Sequence, residues 1–311
     1  MTPVAHESGP RLWAIVGATG TGKTDLSLRL AEALIGRGRG AEIVNADAMQ
    51  LYRGMDIGTA KLPPSERRGV AHHLFDMLEP SEDAAVAWYQ QAAREAADDA
   101  FSRGVDVILV GGSGLYVSSV LYDFRFPPRD ERLRAELERE LAQHGAAALY
   151  ERLRHADPAS AARIDPRNGR RVVRALEVVA QGAKGHGAAL PDHPVLWRGD
   201  TTVIGVHLDR AELVERLDRR VEGMWAAGLL DEVRALRDRG VERGTTARRA
   251  IGYAQALEQL DGRLDQDEAI AQTQSLTRRY ARRQVSWFRR YPHVRWTAPD
   301  ADAARLADSS A

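Results

Sequence analysis

Gly17-Ala18-Thr19-Gly20-Thr21-Gly22-Lys23-Thr24 fits the phosphate-cradling pattern G-x-x-x-x-G-K-[ST]. Glycines let backbone N–H groups close on an anion, and a helix starting there adds partial positive charge. Lys23 supplies a point charge for terminal phosphate oxygens. Thr24 offers a hydroxyl to a phosphate or to Mg²⁺. The chain has only three lysines, Lys23, Lys61 and Lys184, among 44 basic residues. A lysine in this loop therefore points to a role that a bulky guanidinium cannot fill. Asp47 is the candidate general base, because a carboxylate beside a phosphate site can take a proton from a nucleophile. The competing role for Asp47 is a helix N-cap or a metal ligand.

An ordinary P-loop NTPase needs an acid at the end of a neighbouring buried strand to hold Mg²⁺. Here Val105 to Val110 ends in Gly111-Gly112-Ser113-Gly114, and Asp106 stands at the wrong end. Such glycines admit close backbone approach, and Ser113 can bond a phosphate or a base. A plain ATPase is thereby disfavoured, although Asp47 could serve a metal. His72-His73 reads as a half-buried strand feature, since no partner has ligand spacing. From Arg278 to Arg290 the chain carries six arginines and no acid. At helical pitch, Arg278/Arg282/Arg289 and Arg279/Arg283/Arg290 form adjacent stripes, and like charges at i,i+4 repel unless neutralised. Two readings stand: an RNA phosphate backbone neutralises them, or acidic helices do while Trp287 and Phe288 pack in the core.

The elements that position these residues follow from the patterning. Leu12 to Val16 reads as a buried strand, and Asp25 to Leu34 has apolar residues at helical spacing. Glu42 to Ala46 is a second strand ending at Asp47. Ala48 to Lys61, punctuated by glycines, reads as a functional loop. His72 to Asp76 predicts a short edge strand, Val86 to Arg103 a helix, and Val105 to Val110 a buried strand. Arg129 to Arg154 and Arg170 to Ala180 predict helices, with Gln181 to Pro194 as a linker. Thr202 to Leu208 returns to strand character, and amphipathic helices follow from Arg210 to the C-terminal region. The alternation predicts an α/β protein: a P-loop-type parallel sheet flanked by helices, with a helical insertion domain. The core spans 11–125 and 195–311, and the insertion 126–194. Ligands in such sheets bind beyond the strands' carboxyl ends, where the P-loop, Asp47 and Gly111 to Ser113 converge.

With 311 residues, 44% hydrophobic and 28% charged, the chain is an ordinary globular protein of one large or two modest domains. Its formal net charge of +0 means that a polyanion must meet a local patch. The absence of cysteine excludes disulfides and thiolate chemistry. Met1 to Pro10 lacks the apolar core of a signal peptide, no run reaches membrane-spanning length, and a cytoplasmic protein is expected.

Together these segments resemble the tRNA dimethylallyltransferases (tRNA isopentenylpyrophosphate transferases). The resemblance is carried by Gly17 to Thr24, Asn45 to Lys61, His72-His73-Leu74, Val110 to Tyr116, Tyr280 to Gln284 and Trp287 to Arg289, in order over residues 12 to 296. It implies transfer of a dimethylallyl group from dimethylallyl diphosphate to the exocyclic amine of adenine 37 in tRNA, with release of diphosphate. It implies Mg²⁺ as cofactor, held by Thr24, and a monomer without membrane contact. Gly17, Ala18, Thr19, Gly20, Thr21, Gly22, Lys23 and Thr24 would hold the donor diphosphate. Asp47, Lys23 and Arg220 would be catalytic, with Arg216 the alternate arginine. The tRNA would meet Asp47, Ala48, Met49, Gln50 and Ser113, then Arg134, Arg170, Arg171 and Arg174 of the insertion. It would also meet Arg249, Gly252 and Tyr253, and Arg282, Arg283, Gln284, Trp287 and Arg289. The insertion would grip the anticodon stem–loop. Ser113 stands where the family usually has Thr, and Ala48 where it usually has Ser. The Gly185 to Pro194 stretch departs from the family pattern. Three other readings remain: prenylation of free adenine nucleotides, a small-molecule kinase, and a non-catalytic RNA-binding module. The arginine segment and the insertion favour tRNA over a mononucleotide, which needs neither.

Overall fold

The computed structural model describes residues 9–123, 126–127, 130–182 and 194–308. Contacts divide the chain into two compact units, Met1–Leu121 with Leu196–Ala311, and Tyr122–Val195. In chain order the elements are β1 (Leu12–Gly17), α1 (Lys23–Ile35), β2 (Gly40–Asn45), β3 (His72–His73), α2 (Val86–Ser102), β4 (Val105–Gly111) and α3 (Gly114–Leu121). Then come α4 (Glu131–Ala156), α5 (Pro158–Ala161), α6 (Gly169–Ala180), β5 (Thr202–Val206), α7 (Arg210–Ala226), α8 (Leu229–Asp238), α9 (Tyr253–Leu260), α10 (Gln266–Phe288), β6 (Arg295–Thr297) and α11 (Ala303–Asp308).

The larger unit is built on one six-stranded sheet in the order β3-β2-β4-β1-β5-β6, with every pairing parallel. Its central strand β1 is buried throughout, as its apolar run requires. Trp13, Ile15, Ile108 and Ile204 pack against Leu26, Leu30 and Leu34 of α1 on one face. Asp106, fully buried at the start of β4, accepts the Arg39 guanidinium at 2.6 and 2.8 Å and the Arg11 N–H at 2.8 Å. It anchors the end of the sheet away from the P-loop. His72-His73 is the expected edge strand, with His73 Nε2 2.7 Å from Glu42 Oε2. The strand β6 was not expected: three residues, two of them exposed, carry too little alternation to signal one, and pairing with β5 defines it.

The Tyr122–Val195 unit has its own core of Leu137, Leu149, Leu153, Ile164, Val172 and Leu176. One continuous helix over Arg129 to Arg154 was expected, and Arg129 lies outside the described residues. The chain instead breaks at Gly145 (φ 76, ψ 169). The two halves of α4 fold back so that Arg152 reaches Glu140 at 2.7 Å. Of the expected linker, residues 183–193 lie outside those described. The Asp123 N–H donates to Val195 O at 2.8 Å, so the unit's two chain ends meet.

Candidate active site

Asp47 leaves β2 at the carboxyl end of the sheet, and its surroundings fix it by backbone. Its N–H donates to Asn45 Oδ1 at 2.9 Å, while Asn45 Nδ2 donates to the carbonyls of Asp47 (3.1 Å) and Leu74 (2.9 Å). Its Oδ1 accepts the Met49 N–H at 3.0 Å, capping the short 3₁₀ turn Ala48–Leu51. The carboxylate is thus both N-cap and half-buried cavity wall, with Oδ2 left for chemistry. The Ser113 Oγ accepts the Ala48 N–H at 3.3 Å and stands 3.5 Å from Tyr280 Oη. Gly111 and Gly112 permit close approaches within the protein. A Cβ at Gly111 would lie 2.3 Å from Ala46 O, and one at Gly112 would lie 2.3 Å from Gln284 Nε2.

The P-loop turns from β1 into α1 through Gly20 and Gly22, at φ 80 and 91. No side chain caps α1, so its first-turn N–H groups face the cavity beyond the sheet. Thr21 is buried, its hydroxyl donating to Ala18 O at 2.9 Å. Thr24 is exposed on the cavity wall. Lys23 Nζ folds over its own loop and donates to Ala18 O at 2.7 Å. Burial pulls its ammonium down to about 8; Asp47 opposes this and Arg220 reinforces it. Arg220 reaches in from α7 and donates from Nη2 to Thr59 O at 3.3 Å. Burial lowers its guanidinium from the ordinary value, against the pull of Asp47.

Two cavities meet on these groups. A cavity of about 760 Å³ is lined by the P-loop, Asp47, Arg68, Arg216 and Arg220. A second, of about 290 Å³, shares Thr19, Asp47, Thr59 and Arg220 with it, and is walled by Met49, Leu217, Val221, Met224, Ile251 and the Tyr280 ring. One sets four basic side chains, Lys23, Arg68, Arg216 and Arg220, against the carboxylates of Asp25, Asp47 and Glu66 and faces a helix N-terminus, as an oligophosphate requires; the other is mostly apolar. Asp47 stands at their junction.

The family model for IPP transferase matches residues 50–291. The chain belongs to the IPP transferase family. A tRNA dimethylallyltransferase of Clavibacter sepedonicus is 54% identical over 310 residues, covering 98% of this chain and 94% of the relative. Among solved structures, the tRNA isopentenylpyrophosphate transferase of Bacillus halodurans has a TM-score of 0.68 and 39% identity, covering 96% of this chain and 93% of its own. A eukaryotic dimethylallyltransferase described as acting on tRNA has a TM-score of 0.79 at 26% identity, covering 96% of this chain and 77% of its own.

In this IPP transferase family member the residues expected to meet tRNA fall into two groups. Arg249, Arg282 and Arg289 are exposed and their side chains carry no partner among the described residues. Arg283 lies over the Tyr280 ring, 5.8 Å from its centroid, and Gln50, exposing part of its amide, donates to Thr59 O at 3.1 Å. Arg170 and Arg171 are exposed at the start of α6. The other residues have structural duties. Gln284 is buried; its Oε1 accepts the Thr19 N–H and its Nε2 donates to Gly112 O, both at 2.9 Å. It ties the P-loop to the end of β4 from a position buried away from solvent. Trp287 packs its ring on Gly114 and donates from Nε1 to Ser118 Oγ at 3.1 Å. Tyr253 is buried with its hydroxyl on Glu232 at 2.6 Å, and Gly252 is buried with its N–H on Gln255 Oε1 at 3.0 Å. Arg134 and Arg174 turn inward to the fully buried Glu177, at 3.5 and 2.9 Å. Ala48 is buried in its 3₁₀ turn. The stripe through Arg278 is also interrupted, because Asp218 takes Nη1 of Arg278 with both oxygens at 2.7 Å.

Sequence reasoning missed Arg68, and it gave Lys61 and Tyr280, both in segments that carry the family resemblance, no part in building the cavities. Arg68 lines the larger cavity and pairs with Asp25 at 3.1 Å and Glu32 at 3.3 Å. Lys61, its side chain buried, donates to Tyr52 O, Asp56 and Asp76 within 2.7 Å and closes the loop that begins at Asp47. The scarcity of lysine was a signal for Lys61 as much as for Lys23. Burial pushes the Tyr280 phenol up to about 12, so it remains a donor.

Proposed function

We propose that the chain transfers a dimethylallyl group from dimethylallyl diphosphate to the exocyclic amine of adenine 37 in tRNA. The observation that carries this reading is Asp47 at the junction of a cavity that holds the P-loop with Lys23, Arg216 and Arg220 and a mostly apolar one. The diphosphate lies on the first-turn N–H groups of α1 with Lys23, Arg216 and Arg220, and the five-carbon group points into the apolar walls. The adenine leaves its stack to reach the buried donor. Its amine nitrogen attacks the first carbon of the donor, the carbon–oxygen bond breaks, and diphosphate leaves with the electron pair. The amine proton passes to Asp47 Oδ2. Such a base matters because an aromatic amine is a poor nucleophile. Lys23 and Arg220 offset the charge that grows on the leaving oxygen, where fixed charges act most strongly in a dry site.

A divalent ion fits as a passenger of the donor. Among the described residues, no group of three or more His, Asp or Glu side chains could hold a metal. Mg²⁺ prefers substrate phosphates, water and few protein oxygens, and the exposed Thr24 hydroxyl on the cavity wall suits that role. Mg²⁺ bound there would supply charge neutralisation to the diphosphate.

The test is to incubate the protein with tRNA and dimethylallyl diphosphate, digest the RNA, and seek adenosine carrying one five-carbon unit at position 37 by mass spectrometry. Asp47→Asn keeps the N-capping oxygen but not proton acceptance, so turnover should fall about 10²-fold or more while tRNA binding stays near wild type. Absence of the product, with ATP bound more tightly than the isoprenoid diphosphate, would replace this reading by phosphoryl transfer.

A further inference from the structure

Glu232 lies on α8 and reaches the loop between Asp47 and Lys61 without touching either cavity's chemistry directly. Its Oε2 accepts the N–H groups of Asp56 at 3.1 Å and Ile57 at 2.7 Å. Its Oε1 accepts the Gly58 N–H at 3.4 Å and the Tyr253 hydroxyl at 2.6 Å. One carboxylate thus gathers three successive backbone donors, an anion held in a nest of amides, with a buried phenol completing it. Charge-assisted bonds of this kind are roughly twice as strong as neutral ones. Gly58 sits against Tyr253 so closely that a Cβ there would lie 2.4 Å from the ring. The next residue is Thr59. Its hydroxyl donates to Met55 O at 2.7 Å, and its carbonyl accepts Gln50 Nε2 at 3.1 Å and Arg220 Nη2 at 3.3 Å. The chain of contacts runs from Glu232 through a fixed turn to one carbonyl, and from that carbonyl to the arginine over the phosphate cavity.

We propose that Glu232 is a positioning residue for the reaction: by fixing the Asp56–Gly58 turn it sets the Thr59 carbonyl, and with it the Arg220 guanidinium, at the donor diphosphate. This rests on the reading that Arg220 meets the donor. Among the described residues the Thr59 carbonyl is the hydrogen-bond partner of the Arg220 side chain, while Asp47 acts on it through charge, so its direction in the cavity depends on that carbonyl. Glu232→Gln replaces one acceptor oxygen by an NH₂ group. Either the Asp56 and Ile57 amides or the Gly58 amide and Tyr253 hydroxyl then face a donor, and the turn shifts.

The test is a double-mutant cycle on kcat/KM for dimethylallyl diphosphate at saturating tRNA, at a temperature where circular dichroism shows every variant folded. Misplacing a group by about 1 Å can cost about 10²-fold, so Glu232→Gln should lose about ten- to a hundred-fold. Arg220→Ala should lose at least as much. The double variant should lose little more than Arg220→Ala alone, because a displaced turn has no arginine left to misplace. A merely structural Glu232 would lower the melting temperature and give losses that multiply, which would overturn the proposal. Wild-type kinetics in Glu232→Gln with an impaired Arg220→Ala would overturn it and leave the function standing. A silent Arg220→Ala would remove Arg220 from the donor site and this proposal with it. Should Glu232→Gln not fold, Gly58→Ala pushes the same turn off Tyr253 with Glu232 intact, and the same coupling to Arg220 is expected.

Discussion

Lys23 spends its ammonium on the loop's own carbonyl, Ala18 O, and shares its surroundings with the Arg220 guanidinium. The sign of its pH dependence follows. Burial disfavours the charged form, so the free protein holds Lys23 charged only below pH about 8. A diphosphate pairs with the ammonium and not with the amine. Above that pH, donor binding must take up a proton, and affinity should fall about tenfold per pH unit until the amine's value in the complex is passed. The donor's own last proton is lost near pH ~6 and leaves the window flat. Calorimetric titration of dimethylallyl diphosphate from pH 7 to about 10 reads this, with Lys23→Met weak and flat throughout. An equally flat wild-type curve would mean that Lys23 stays charged. Lys23 and Asp47 were legible in the sequence because their motif is local: strand, glycine turn, helix, and an acid at the next strand's end. Glu232, Arg68 and the duty of Gln284 were not, because each acts on a residue distant in the chain. Gln284 bonds Thr19 across 265 positions, and no spacing announces that.

At the scale of the element, α10 divides its work by face. One side carries Gln284 to the P-loop and Tyr280 to the apolar cavity; the other exposes Arg282 and, at its C-cap, Arg289. The helical period of the arginines was readable from sequence, but the partner of Arg278 was not, since Asp218 sits on α7. If the free guanidiniums track RNA phosphates, Arg282→Ala and Arg289→Ala should each flatten the slope of log affinity against log salt by about 0.7 to 0.9. Arg278→Ala, already neutralised at 2.7 Å, should leave that slope unchanged and only lose its pair with Asp218. Melting temperatures of the first two variants should match wild type, because exposed charges hold little stability. Salt-dependent tRNA binding on the three proteins separates an RNA face from a solvated one. Equal slopes in all three would take this helix out of the tRNA contact.

At the scale of the whole molecule, a chain with a net charge of +0 must meet RNA through local patches, and its residues are split between two compact units. The sequence boundary of 126–194 lies close to the Tyr122–Val195 unit because charge density and glycine content change there. What the sequence hid was the break at Gly145, whose glycine sits in a run of helix formers. The Tyr122–Val195 unit closes its own core, and Leu153 within it is fully buried. Leu153→Ala should cost that core about 2–5 kcal/mol, the range for such cavities. A domain with its own core unfolds as its own unit. The thermal transition of that unit should therefore move down while the transition of the sheet unit stays in place. The proposed donor site is built from residues of the sheet unit, so donor binding should be unchanged by calorimetry. Binding of tRNA should weaken if the insertion takes part in gripping the anticodon stem. A single transition that moves as a whole, with donor affinity falling in step, would show that the two cores melt together and that the insertion is no separable part of the machine.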